Sequence, residues 1–281
     1  MTNNNFLYTG KGQASRLSSQ HEESGGPLGI FGIEAKKHDL KIGEVTNIVL
    51  DALKNKYPYL QFRKRNSISK KEINNKLSHF DERFGQVLFL KNASIKPDGG
   101  IVEVKDDNNN WRIILVGESK HQGNDVEKIK AGIKQGKNKD SDFMAAGNAI
   151  ERVHKNILEF RNLMIDEDHF PYVVFFQGSN FATKSFFVKS PDGREVKVEH
   201  DSGMLNRIDR VTASSYASEI NKNYCKNTLV RINERERMIQ IPSLYFQSET
   251  WGTEDMYLIL LDIAISSIEI LKEQSVLKRI S

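Results

Sequence analysis

A single α/β domain built on a mixed sheet is what the sequence predicts, and three observations predict it. Apolar residues recur at helical spacing near 43–57, 145–164 and 256–272. Short β-branched runs bounded by turn formers stand at 86–90, 100–105 and 111–120. The run "YVVFFQG" (172–178) follows a helical stretch and is apolar on both faces, the pattern of an interior strand parallel to its neighbour.

The elements follow in order. Residues 1–28 are polar and rich in Gly, Ser and Asn, which predicts a flexible N-terminal arm, with 29–281 as the one domain. From about Gly43, Val45, Ile48, Val49, Ala52 and Leu53 make one apolar stripe, and the helix must stop near Tyr57–Pro58. A polar helix covers 69–78, and strands take 86–90, 100–105 and 111–120. In the helix over 145–164 the buried stripe is Ile150, Val153, Ile157 and Phe160 or Leu163. "FFVKSPDGREVKVEH" (186–200) is a hairpin turning at Pro191-Asp192-Gly193. A helix around 203–220, a strand or two near 228–246 and an apolar helix over 256–272 complete the reading.

The chain has 281 residues, 38% hydrophobic and 28% charged, enough for one sizeable core. A net charge of +4 favours a polyanionic partner only modestly. Cys225 is the sole cysteine, which excludes an intrachain disulfide or thiolate cage and points to a reducing compartment. The N-terminus has no apolar core for a signal peptide. The run "MYLILLDIAISSIEIL" is shorter than the ~20 residues of a membrane span, and Asp262 interrupts it. The expectation is a cytoplasmic protein with no membrane partner.

The stretch "SIKPDGGIVEVKDDNNNWRIILVGESKHQG" (94–123) carries the chemistry. Asp98 and Glu103 lie on one extended segment, roughly 16 Å apart and on opposite faces, so they cannot share an ion. The set in "PDGREVK" (191–197) sits on a hairpin tip, where Asp192 is a turn former and Glu195 and Lys197 a polar face. "DDNNN" (106–110) is instead a turn between two strands. Pairing about Asn108 sets Lys105 opposite Trp111, Ile101 opposite Leu115 and Asp98 opposite Glu118. Cross-strand Cβ atoms are ~5 Å apart, the spacing two carboxylates need to share one cation. Lys120 falls on the strand face of Glu118, and Gly99 and Gly100 leave room for a phosphate.

Two hard oxygen ligands with waters suit octahedral Mg²⁺, which can activate a water against a phosphodiester. Lys120 takes an orienting, charge-stabilising role. An E-x-K triplet in an exposed strand is also a common ion pair. The apolar run Ile113–Val116 favours a central strand that delivers Glu118 and Lys120 to a defined place.

These residues, with "DFMAAGNAIERVHKN", "FPYVVFFQGSNF", "PDGR" and "GMLNRIDRVTASSY", resemble the EcoRI-like type II restriction endonucleases of the PD-(D/E)xK nuclease superfamily. The resemblance runs from about residue 28 to Tyr216 and is weaker beyond. It implies a central mixed five-stranded sheet flanked by helices, with extended DNA-wrapping arms, the hairpin 186–200 among the candidates. It also implies a Mg²⁺-dependent homodimer that cuts double-stranded DNA within GAATTC to leave 5′-phosphate overhangs, and a cognate DNA methyltransferase. Carried over by position, Asp98, Glu118 and Lys120 are catalytic, and Asp98, Glu118 and the carbonyl of Ser119 bind the metal. The chain departs from the family where Ser119 replaces an alanine and Asn124 a lysine.

"DFMAAGNAIER" (142–152) suits base reading. Ala146 and Gly147 let backbone approach base edges. Asn148 can pair with adenine, and Met144, Ala145 and Ala149 offer apolar contact to thymine methyls. Arg152, Arg207 and Arg210 supply forks for guanine or phosphate. The resemblance assigns these residues to recognition and has Glu151 tie arginines together across the dimer. On residue type alone the structural reading carries more weight, with Ala145–Ala149 a helix N-terminus capped by Asn148 and the arginines a solvated surface. The lysines at 120, 128, 130, 134, 137 and 139 form a track for phosphates or a solvated helix face. His121 is read as supporting or structural. Two further readings stay open: a nuclease of another AATT-centred specificity, and a catalytically silent DNA-binding protein.

Overall fold

The computed structural model describes residues 33–85, 93–123, 125–132, 148–198 and 207–277. His38–Ser281 gather into one compact unit, and Met1–Lys37 form another, of which only the helical stretch from Ile33 is described. The arm 1–28 and the run 86–90 lie outside the described residues.

The elements are α1 (Ile33–Lys56), β1 (Phe62–Arg65), β2 (Ile68–Ser69), α2 (Lys70–Phe80), β3 (Ser94–Ile95), β4 (Gly100–Lys105), β5 (Trp111–His121), α3 (Asp125–Lys130), α4 (Asn148–Leu163) and β6 (Tyr172–Gln177). After a 3-10 turn at Ser179–Phe181 come β7 (Phe186–Lys189), β8 (Glu195–Val198), α5 (Arg207–Ala213), β9 (Thr228–Ile232), β10 (Arg235–Ile239), β11 (Ser243–Gln247) and α6 (Thr253–Glu273). Among the described residues the main sheet has five strands in the order β1-β4-β5-β6-β11. β1, β4 and β5 run antiparallel to one another in turn, while β5, β6 and β11 are parallel. The predicted mixed five-stranded sheet with flanking helices is therefore borne out.

Three layers result from side-chain alternation. On β6, Val173 and Phe175 join one apolar cluster with Val45, Val49 and Leu53 of α1 and Leu260, Ile263 and Ile268 of α6. Tyr172, Val174 and Phe176 point the other way, into a cluster with Ile150, Val153, Ile157 and Phe160 of α4 and Ile73 of α2. With every residue of β6 buried, the strand is interior for the reason the sequence suggested: apolar side chains on both faces need cover on both.

Several boundaries moved. α1 starts at Ile33 rather than near Gly43. Its buried stripe is Ile42, Val45, Val49 and Leu53, while Ile48 is 49% exposed. The expected helix at 203–220 is described only as the short α5, ending at Ala213. The region 228–246 holds three strands, of which β9 and β10 form a separate hairpin. The 186–200 hairpin exists, and its tip is exposed. Its base is not free, because Val188 and Val198 pack on Ile129 of α3.

The turn at 106–110 closes as its residues suggest. Asp106 Oδ1 accepts from the backbone N of Asn108 at 2.9 Å and of Asn110 at 2.7 Å, and Asn109 takes the left-handed φ of 66° that Asn tolerates. Lys105 pairs with Trp111 as expected, but the register slips by one residue between Val102 and Glu103. Ile101 therefore faces Val116, not Leu115, and Gly100 faces Gly117. The β-bulge exists because Ile114 and Leu115 both turn into the cluster under α1 and α6.

Candidate active site

Glu118, Ser119 and Lys120 lie near the C-terminal end of β5, where it runs beside β6. Past the bulge, Val116 faces the α4 side, and Glu118 two residues on shares that face. Ser119 turns to the opposite face, towards α1, where its hydroxyl donates to Asp39 Oδ1 at 2.8 Å. Asp98 precedes β4 in a turn closed by Gly100 N donating to Pro97 O at 3.0 Å. Gly99 N donates to Gly117 O at 2.9 Å, which ties that turn to β5.

The slip alters how the acids meet without separating them. Asp98 is not squarely opposite Glu118: its Oδ2 accepts from Ser119 N at 3.3 Å. The meeting point is the Lys120 ammonium. Lys120 Nζ lies 2.6 Å from Asp98 Oδ2, 2.5 Å from Glu118 Oε1 and 2.7 Å from Ser119 O. Three oxygens from the predicted metal-binding residues, two of them on carboxylates, thus converge on one cationic centre. That donor set is hard and anionic, and it fits a divalent cation that prefers oxygen. Among the described residues no group of three or more His, Cys, Asp or Glu forms a metal cage; the third donor here is a backbone carbonyl.

Charge at the site is dominated by burial. Glu118 is 1% exposed; desolvation pushes its pKa up, and the ammonium of Lys120 pulls the other way. Burial works against the Lys120 charge too, but Glu118 and Asp98 outweigh it and hold its pKa above the ordinary lysine value. Lys120 is therefore a firm cation and a poor base. Asp39 is pushed up to about 6 by desolvation and by the nearby Asp98 charge.

Four residues around the triad were not singled out from sequence. Asn156 of α4 donates from Nδ2 to Glu118 Oε1 and Oε2 at 3.3 Å each, and the Tyr172 hydroxyl donates to Oε2 at 3.0 Å. Asp39 and the buried His38 come from α1, and His38 Nε2 lies 3.4 Å from Phe175 O. A polar residue beside the Val153–Ile157 stripe, and a hydroxyl opening an otherwise apolar strand, were signals available for Asn156 and Tyr172. The late start assigned to α1 hid the other two. His121, read as supporting, has Nδ1 3.2 Å from Gln177 Nε2.

Gly99 and Gly100 do not open space for a phosphate. A Cβ on Gly99 would come within 3.0 Å of Gly117 O and 3.1 Å of Ile42 and Thr46; one on Gly100 would meet Lys64 at 2.8 Å. They permit close packing of β4 against its neighbours. The other acids are structural, as expected. Glu103 pairs with Arg63 at 2.5 Å and Arg65 at 3.2 Å. Asp192 bonds Ser190 and Arg194 within the hairpin tip.

Of the base-reading candidates, Met144, Ala145, Ala146 and Gly147 lie outside the described residues, as do the side chains of Asn148, Ala149 and Arg207. Asn148 opens α4 and Arg207 opens α5. Glu151 and Arg152 are exposed, and Arg210 is partly buried. Of the lysine track, Lys130 is exposed, and positions 134, 137 and 139 lie outside the described residues.

The model of the family "Restriction endonuclease EcoRI" matches residues 24–278. The type II restriction enzyme RsrI of Cereibacter sphaeroides is 62% identical over 266 residues, covering 95% of this chain and 96% of its own. The type II restriction enzyme EcoRI of Escherichia coli is 51% identical over 263 residues, covering 93% of this chain and 95% of its own.

Proposed function

The chain belongs to the EcoRI family of type II restriction endonucleases, and from that premise we propose that it cuts double-stranded DNA within GAATTC, after the G, leaving 5′-phosphate overhangs. The observation that carries the chemistry is the convergence of Asp98 Oδ2, Glu118 Oε1 and Ser119 O on one cationic centre. Asp98, Glu118 and the Ser119 carbonyl are the residues assigned to hold Mg²⁺. Held there, a divalent cation would supply charge neutralisation at the scissile phosphate and a lowered pKa for the attacking water.

The chain's own residues do the rest. Lys120 donates to a phosphate oxygen or to the attacking water. Tyr172 and Asn156 hold Glu118 by donating to its oxygens, and β5 is pinned between β4 and β6. Recognition is assigned to Met144–Ala149, Glu151 and Arg152 together with Arg207 and Arg210. A palindromic site calls for two matching readers, so the acting species is a two-fold homodimer.

The test uses purified protein with plasmid DNA of known sequence, with and without Mg²⁺. The expected product is cohesive ends at one hexanucleotide, with no cutting when the metal is chelated. Scission at another AATT-centred site would correct the specificity alone, and metal-dependent binding with no scission would remove the nuclease reading.

A further inference from the structure

The Glu118 carboxylate has a free torsion to control. The terminal torsion of a glutamate is broad, with no sharp wells to hold the plane. Here the plane is held from the α4 side: Asn156 Nδ2 reaches both oxygens at 3.3 Å, and the Tyr172 hydroxyl reaches Oε2 at 3.0 Å. The amide and the hydroxyl thus meet on one carboxylate, Asn156 at both oxygens and Tyr172 at Oε2. With the plane fixed, Oε1 is the oxygen that meets Lys120 at 2.5 Å.

Folding gives α4 no need for an amide at this place. The helix packs through Ile150, Val153, Ile157 and Phe160, all 1% exposed or less. Asn156 stands beside that stripe, only half-buried. Its helix is anchored independently, because Ile150, Val153 and Ile157 pack in one cluster with Ile73 of α2 and Val211 of α5. An amide carried on an element locked at other points can impose an orientation on a neighbour.

We propose that Asn156 is a positioning residue for this reaction: its amide sets the plane of the Glu118 carboxylate and so tunes the affinity of the site for its divalent cation. The inference rests on the metal-dependent nuclease reading above. Groups that orient a ligating carboxylate are worth 10–100-fold in metal affinity or activity.

Asn156→Ala and Asn156→Asp test it. Alanine is the best helix former, so α4 is retained; aspartate sets a like charge beside Glu118. Three readouts apply: metal-free binding to a GAATTC duplex, the Mg²⁺ dependence of single-turnover cleavage, and Mn²⁺ affinity followed by paramagnetic resonance. The expected result is unchanged metal-free DNA binding with a half-saturating Mg²⁺ concentration raised about 10-fold or more in Asn156→Ala. Mn²⁺ affinity should fall by a similar factor, and Asn156→Asp should be slower still. Parental metal dependence in both variants overturns the proposal, as does a loss confined to thermal stability and metal-free binding. If the parent cuts no DNA, the nuclease reading fails, and Mn²⁺ affinity still decides whether Asn156 orients Glu118.

Discussion

Lys120 Nζ sits 2.6 Å from Asp98 Oδ2 and 2.5 Å from Glu118 Oε1, so one ammonium joins two carboxylates that belong to different parts of the hairpin. The contact depends on the turn at Asp106–Asn110 and on the bulge beyond Val102.

Glu118→Gln keeps the shape of the side chain and removes its charge. Cleavage of GAATTC-containing DNA should disappear, with at least the 10²-fold loss seen when one electrostatic group is removed from a preorganised site. Specific DNA binding and the circular-dichroism spectrum should persist. A variant that no longer folds would assign Glu118 a structural role.

Lys120→Met leaves Asp98 and the buried Glu118 without their shared cation. Breaking a buried pair in this way costs about 3 kcal/mol, at the low end because Asp98 is 24% exposed at its side chain. Thermal unfolding should show the loss. Mg²⁺ should then raise the Tm of the variant more than that of the parent, since an ion bound only by the folded state stabilises it. Equal Mg²⁺ shifts in the two proteins would count against a metal site at these oxygens.

Ser119→Ala removes the 2.8 Å bond to Asp39 but leaves the backbone carbonyl in place. The expected change is a stability loss of about 1 kcal/mol with cleavage close to parental, read by chemical denaturation and single-turnover assay. Strong loss of cleavage would assign the hydroxyl a part in the reaction.

Glu103 sits at 2% exposure between Arg63 and Arg65. Glu103→Gln should therefore lower stability by about 3 kcal/mol while folded protein retains metal-dependent cleavage. An abolished cut in a stable Glu103→Gln variant would show that the wrong glutamate had been assigned to the metal.

Burial lowers the His169 pKa from 6.5 to about 4, against a weaker opposing effect of its bond to Ile113 O. The folded chain thus keeps this ring neutral where the unfolded chain binds a proton. Stability from this group is full above pH 6.5 and is lost as pH falls towards 4, amounting to roughly 3 kcal/mol. His169→Gln keeps a donor near Ile113 O and does not titrate. The Tm curves of parent and variant should run parallel above pH 6.5 and converge or cross below it. Parallel curves throughout would show that His169 is not held neutral.

Much of the site was legible because its parts are local. The pattern of "WRIILVGESK" marks a central strand, "DDNNN" marks its turn, and alternation puts Glu118 and Lys120 on one face; each depends on residues within a few positions of one another. The bulge was not legible, because it arises when Ile114 and Leu115 both find cover in a cluster built with α1 and α6. Nor were the partners of Ser119 and Glu118. Asp39 is 80 residues from Ser119 and Asn156 is 38 from Glu118, and no spacing rule links such positions.

From the chain alone come the strand–turn–strand unit, the acid pair with its lysine, and the largely apolar β6, since backbone periodicity and turn chemistry act over short distances. The fold in three dimensions decides which oxygen faces which donor. Packing α1 on one side of the sheet and α4 on the other brings Asp39 to Ser119 and Asn156 to Glu118. Those contacts depend on how helices seat against a shared core, a property of the whole molecule that no single segment encodes.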